Sequence, residues 1–375
     1  MPTPPLDVPR PLPLTPNDAP FAVWDPSGVA GEATRALRQV LKQAGHAEVL
    51  PADARVVLAP VDLDRPRPLR RAQRSTFVVA VVEVEDRPND VLAFGYPFLV
   101  RALANLCVLV ARSEPETAHV ITLERGHYEV AAGRHMAADY SRLYEHLRPL
   151  ALSRLVIDND HIDDLPRELW QGDAATQSLL QAGARLDRLG LLPAPFPIAQ
   201  YLSPRDLRHV QLLYGVGGLS YGNMSARRDA DSFWMTASGV NKGHLSGVGR
   251  DLVLISGFDP ERLALRLSEP PDLDRPPRAS VDAIEHWMIY RRHAAVGAIV
   301  HVHTWIEGVT STSINFPCGT IELASAVADL IALEPDPGRA IVGQKNHGLT
   351  ITGPDLPDIF ERLEAATTAD VPMAA

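Results

Sequence analysis

A chain of 375 residues exceeds the roughly 100–200 of one ordinary domain, and 46% hydrophobic with 22% charged residues suits two cored domains rather than a disordered or fibrous chain. The formal net charge of -10 excludes a general nucleic-acid binder, which needs a basic face against phosphate, so a small-molecule ligand is expected. Two cysteines, Cys107 and Cys318, exclude a disulfide framework and fit a reducing, cytoplasmic compartment.

The opening MPTPPLDVPRPLPLTPNDAP is dense in proline and lacks the continuous apolar core of a signal peptide, so residues 1–20 are expected to form a disordered, extended tail. Apolar or alternating runs follow at 21–24 (FAVW), 55–60 (RVVLAP), 76–84 (TFVVAVVEV), 107–111 (CVLVA) and 119–123 (HVITL), and each reads as a strand. EATRALRQVLKQAG at 32–45 reads as a helix ending on a glycine. Strands interleaved with helices predict an α/β domain over 21–195, with a Rossmann-like arrangement among the expectations. No GxGxxG or GxxxxGKS/T follows any of these strands, so neither dinucleotide nor triphosphate binding is indicated, and the domain is left without a function. VLAFGYPFLVRALANLCVLVA at 91–111 has the length of a membrane span, but Gly95, Pro97, Arg101 and Asn105 interrupt it. A turn, a short helix and a buried strand are expected there instead.

A polar stretch at 157–173 leads to a helix, LLQAGARLDRLG, and then to LLPAPFPIAQYLSP, whose prolines mark a linker at about 190–203. Beyond it a helix opens with Ser203 as N-cap and Pro204 at the first helical position, and breaks at Gly215, Gly217 and Gly218. SEPPDLDRPPRAS at 268–280 ends at a further helix beginning near Val281.

Four clusters in this second half carry candidate chemistry. GNMS at 222–225 and TASG at 236–239 combine side-chain oxygens and amides with exposed backbone N–H groups, which suits an anion, although polar turns read the same way. In SVDAIEHWMIY at 280–290, Asp282 and His286 stand four apart on one helical face; the plainer alternative is an N-terminal carboxylate complementing the helix dipole and a partly buried histidine. In AIVHVHTW at 298–305, His301 and His303 project from one face of a strand, a spacing that suits a divalent ion and also occurs incidentally. In KNHGLTITG at 345–353, His347 follows a strand-like run; it is either a third ligand or a turn histidine.

In this order, GN-x-S, T-x-S-G, a carboxylate with histidine four residues on, H-x-H and N-H-G, the pattern resembles the class II aldolase/adducin family, of the L-fuculose-1-phosphate aldolase and L-ribulose-5-phosphate 4-epimerase type, over about 204–366. The resemblance implies an α/β/α domain with a central, mainly antiparallel sheet over 204–375, a homo-oligomer, typically a tetramer, and a bound divalent metal: zinc, with manganese or cobalt as alternatives. It makes His301, His303 and His347 the metal ligands and Asp282 the counterpart of the catalytic glutamate, 19 positions before His301. Asn223, Thr236, Ser238, Gly239 and Ser280 match positions that hold a substrate phosphate, and Ser225 of the same motif is counted with them; Val281 replaces a second serine of the phosphate-binding members.

The implied reaction is cleavage or formation of a carbon–carbon bond in a small hydroxy-carbonyl compound through a metal-stabilised enediolate, with epimerisation and dehydration as chemical neighbours. A non-catalytic, adducin-like interaction module is the alternative from another class. Glu285 and Glu322 are the other carboxylates that could serve in place of Asp282. Family members often place a catalytic tyrosine in a C-terminal segment longer than the one read here after PDLPDIFERLEAA, so no tyrosine is expected in that role.

Overall fold

The computed structural model describes residues 13–123, 126–131, 136–192, 198–214 and 220–375. The first twelve residues of the proline-rich tail and the break at Gly215, Gly217 and Gly218 lie outside the described residues. Residues 13–20 are ordered: Pro16–Asp18 forms a single 3-10 turn, with the Asp18 carboxylate accepting the Thr15 N–H at 3.0 Å, and Ala19 is fully buried.

The chain divides into two compact units, the first holding residues 13–153 with 198–212 and the second most of the remainder. In the first unit, β1 (Phe21–Val23), α1 (Glu32–Gln43), β2 (Val56–Pro60), β3 (Phe77–Val84), α2 (Val91–Arg101), β4 (Leu106–Ala111), β5 (Thr117–Thr122), β6 (Gly126–Ala131) and α3 (Met136–Leu152) follow one another. The strands lie in chain order, β1 to β4 parallel and β5 and β6 antiparallel. The sheet therefore has no reversal of strand order, and no switch-point crevice of the Rossmann kind. Burial on both faces explains the continuous apolar runs of β2, β3 and β4. The N-terminus of α1 is held from a distance: Glu83 accepts the N–H groups of Ala33 and Thr34 at 3.1 and 3.2 Å. The apolar stretch 91–111 resolves into α2, bearing Pro97, and the buried β4. Among the described residues no helix is long and apolar enough to cross a membrane.

The second unit begins with β7 (Asp158–Ile162) and α4 (Ala174–Arg188), whose N-terminus is capped by Asp173. The chain then contributes α5 (Ile198–Tyr201) and most of α6 (Pro204–Tyr214) to the first unit, where Ser203 accepts the Asp206 N–H at 3.2 Å, as its N-cap position requires. It continues through β8 (Asn223–Arg227), β9 (Phe233–Thr236), β10 (Leu252–Asp259), β11 (Ala264–Ser268), α7 (Ala283–Arg292), β12 (Ala298–Val302), β13 (Trp305–Ile306), α8 (Ile321–Leu333), β14 (Ile341–Gln344), β15 (Gly348–Gly353), α9 (Leu356–Ala365) and β16 (Thr368–Ala369).

Eight of these strands form one sheet in the order β14-β15-β12-β8-β9-β10-β11-β7, antiparallel throughout except for the β11–β7 pair. Alternation along each strand fills two cores. Ile284 and Met288 of α7 and Val327 and Ile331 of α8 pack on Met235, Val253 and Ile299. On the other face Leu179 and Leu186 of α4 and Ile359 and Phe360 of α9 pack on Met224, Trp234 and Val300. The result is an α/β/α sandwich with a mainly antiparallel sheet in which β12 is an interior strand, third from the β14 edge.

Candidate active site

β12 runs between β8 and β15, with His301 opposite Asn223 on one side and Thr350 on the other. Because side chains alternate, Val300 and Val302 enter the core beneath α4 and α9, while His301 and His303 project on the face that α7 and α8 cover. The third histidine arrives from the β14–β15 turn. Two glycines let the neighbouring backbone close on this end of β12: a Cβ on Gly348 would stand 2.3 Å from the Val302 carbonyl oxygen, and one on Gly222 2.3 Å from that of His301. Neither position can carry a side chain without moving a strand, which explains the glycines of the N-H-G and GN-x-S patterns.

The three rings converge, with centroids 5.0 Å apart for His301–His303, 5.0 Å for His301–His347 and 5.1 Å for His303–His347. Their candidate ligand atoms all lie within 4.8 Å of one another. His301 Nδ1 stands 3.0 Å from the Leu349 carbonyl oxygen, which can only accept. The proton is therefore on Nδ1 and the lone pair on Nε2, the tautomer a metal ligand needs. Three imidazoles so placed fit a divalent ion of the zinc type.

Asp282 lies beside them. It takes the N-cap position of α7, is buried, and accepts a hydrogen bond from Asn223 Nδ2 at 2.8 Å. Asp282, Cys318 and His347 form a second group of donor atoms within 4.8 Å, and Cys318 Sγ is 3.0 Å from His347 Nδ1. The sequence bears on Cys318 only through the redox compartment, because no spacing rule ties a cysteine in a Pro-Cys-Gly loop to a histidine 29 residues on. Sequence reasoning misses Lys242 as well. It is buried, donates from Nζ to the Ser220 carbonyl oxygen at 2.8 Å, and has its pKa pulled down to about 8 by burial, against which the Asp282 charge acts.

The other carboxylates have different partners. Glu285 is enclosed behind His301 and accepts hydrogen bonds from Thr350 Oγ1 at 2.6 Å and Gln344 Nε2 at 2.9 Å. Burial, reinforced by the Asp282 charge and opposed by the Thr350 hydroxyl, raises its pKa to about 8, so it is largely neutral at pH 7. Glu322 is engaged by Arg154, through the backbone N–H at 2.7 Å and the guanidinium at 2.8 Å.

Apart from Asn223, which donates to Asp282, the candidate anion-binding residues separate into two sets. A bridge between Ala237 and Ala279 draws the Ser238–Gly239 turn toward Ser280, and all three are at least partly exposed. Ser225 and Thr236 are fully buried and occupied elsewhere. Ser225 Oγ joins His286 Nδ1 at 2.7 Å and Tyr290 Oη at 2.8 Å, and burial pulls the His286 pKa down to about 3. Thr236 Oγ1 accepts the Met224 N–H at 3.2 Å. His286 thus faces the core and shares no cluster with the three histidines.

Residues 208–315 match the model of the Class II Aldolase and Adducin N-terminal domain. The matched segment contains all the candidate site residues described above except Cys318, Gln344, His347, Thr350 and Glu322. Over 220 residues the chain is 27% identical to methylthioribulose-1-phosphate dehydratase of Acidiphilium cryptum, covering 50% of this chain and 84% of the relative. Among solved structures it is similar to the L-fuculose-1-phosphate aldolase of Thermus thermophilus, with 21% identity, TM-score 0.32, and 50% of this chain and 85% of the other covered. It is also similar to the N-terminal class II aldolase domain of a conserved protein from Thermoplasma acidophilum, with 14% identity, TM-score 0.34, and coverage of 54% and 93%.

Proposed function

We propose that the second unit is a metal-dependent lyase that cleaves or forms a carbon–carbon bond in a small hydroxy-carbonyl compound. The observation that carries this reading is the convergence of His301, His303 and His347 at one end of β12, with the Asp282 carboxylate in a second donor group that shares His347. The three imidazoles would hold a divalent cation, zinc by donor type, which supplies Lewis-acid stabilisation for negative charge on a carbonyl oxygen.

The protein's own groups do the rest. Asp282, fixed by the Asn223 amide, takes the proton from the hydroxyl of the breaking bond and returns it to the carbon fragment. Aspartate reaches one methylene less far than glutamate; here it stands at the N-cap position of α7, with a carboxylate oxygen in one donor group with Cys318 and His347. Glu285, neutral near pH 7, adds no competing negative charge behind His301. Ser238, Gly239 and Ser280, which remain accessible, would hold the distal end of the substrate, whereas Ser225 and Thr236 serve the fold.

Dehydration is a second reading, favoured by the dehydratase relative. There Asp282 would take a proton from carbon and hydroxide would leave from its neighbour. One experiment separates them: zinc-loaded protein is incubated with free and phosphorylated ketoses and the products are resolved by mass. Two carbonyl fragments support the aldolase reading and loss of water the dehydratase reading. A protein that binds no zinc, manganese or cobalt at the three histidines defeats both and leaves the adducin-like interaction module.

A further inference from the structure

We infer that the first unit carries a cation site of its own, formed by His119, His127 and Glu129 on the β5–β6 hairpin and suited to a zinc-type divalent ion. In the antiparallel register His119 stands directly opposite Glu129, and His127 stands opposite Ile121, two residues along the same face. All three side chains therefore meet on one side of the hairpin. The imidazole centroids are 5.9 Å apart, His119 Nδ1 is 3.7 Å from Glu129 Oε1, and the three candidate ligand atoms lie within 4.8 Å of one another.

Burial separates this cluster from an ordinary surface ion pair. His119 is 1% exposed, and its Nδ1 has no hydrogen-bond partner among the described residues, although polar atoms at that depth are normally paired. Its pKa is lowered, chiefly by burial, with Glu129 opposing and Arg87 and His127 adding to the effect. A ring nitrogen left without a partner at that depth can offer a lone pair where a cation would sit. Two imidazoles and a carboxylate form a donor set that suits zinc, with His127 and Glu129 on the solvent side as the route of entry. Arg87 is the built-in competitor. Its guanidinium lies 2.9 Å from Glu129 Oε1 and 3.5 Å from Glu114 Oε2, so it can surrender Glu129 to a metal and keep Glu114.

The site is independent of the active-site reading, and the experiment keeps the two apart. Tag-free full-length protein carrying His301→Ala and His303→Ala, which disables the cluster of the second unit, is dialysed against zinc, assayed by elemental analysis and titrated calorimetrically. It should retain about one equivalent of zinc. Added to that background, H127A or E129Q should weaken zinc by more than about tenfold, because even partners outside the coordinating atoms typically cost 10–100-fold. R87Q should tighten it by removing the competing guanidinium. All three positions are at the surface or partly exposed, so these variants keep the fold. Absence of zinc in the double variant overturns the inference, as does binding that ignores H127A or E129Q. Failure of the active-site reading shows separately, as absence of zinc in H127A protein whose His301, His303 and His347 are intact.

Discussion

Asp282 and Glu285 are two carboxylates three residues apart with opposite environments. Asp282 sits against a hydrogen-bond donor and the imidazole cluster, whereas Glu285 is sealed beneath it. Asp282→Asn keeps the shape and removes the base, so turnover should fall by about 10²–10⁴-fold while zinc content is unchanged, measured by steady-state kinetics beside elemental analysis. Glu285 makes a different prediction. Its folded pKa is raised from 4.5 to about 8, so between those values the native state holds a proton that the unfolded state has lost. Stability is therefore greatest below the unfolded value and declines as pH rises toward about 8. Glu285→Gln should flatten that slope, gaining on the wild type by an amount on the order of a few kcal/mol between about pH 5 and pH 9, read by denaturant unfolding at each pH. Cys318→Ala removes the partner of His347 Nδ1 and should lower zinc affinity by about tenfold without altering the fold, a result that calorimetry and circular dichroism would give together.

At the scale of the element, the site is an arrangement of backbone approaches. β12 presents two histidines because a strand has a period of two; Gly348 and Gly222 allow β15 and β8 to close against its end. Gly348→Ala forces its Cβ into the Val302 carbonyl and should cost about 1–3 kcal/mol, with loss of zinc binding as His347 is displaced. A variant that bound zinc as the wild type does would show that this turn does not position the ligand. The strands were legible element by element, since β1 to β5 and β12 all announce themselves as apolar or alternating runs. Less legible was the role of each polar side chain on them. Asn223 and Ser225 share a face and a motif, yet one meets Asp282 and the other is locked to His286 and Tyr290 under α7. Motif membership does not encode depth.

For the whole molecule, chain order and compactness part company. Sequence punctuation suggested a boundary near 190–203, but β7 pairs with β11, and α4 covers the sheet with Leu179 and Leu186. A fragment beginning at Pro204 lacks both and should fail to fold, shown by the absence of a cooperative unfolding transition. It would also leave Met224 and Trp234 without the helix that buries them. A cooperative transition in that fragment would show that β7 and α4 are dispensable. The homo-oligomer implied by the resemblance belongs to this scale, and sedimentation of the zinc-loaded full-length chain would report it.

Composition and periodicity by themselves determined the α/β character, most strands of the first unit, and the pairing of His301 with His303. These are local properties, readable wherever side-chain spacing matches a strand or a helix. Tertiary structure alone decided that His347 and Cys318 meet, that Lys242 lies buried within reach of the Asp282 charge, that Ser225 and Glu285 face inward, and that two histidines and a glutamate gather on the β5–β6 hairpin. Each of those meetings depends on strand register and on backbones closing over glycines, and neither is written in the spacing along the chain.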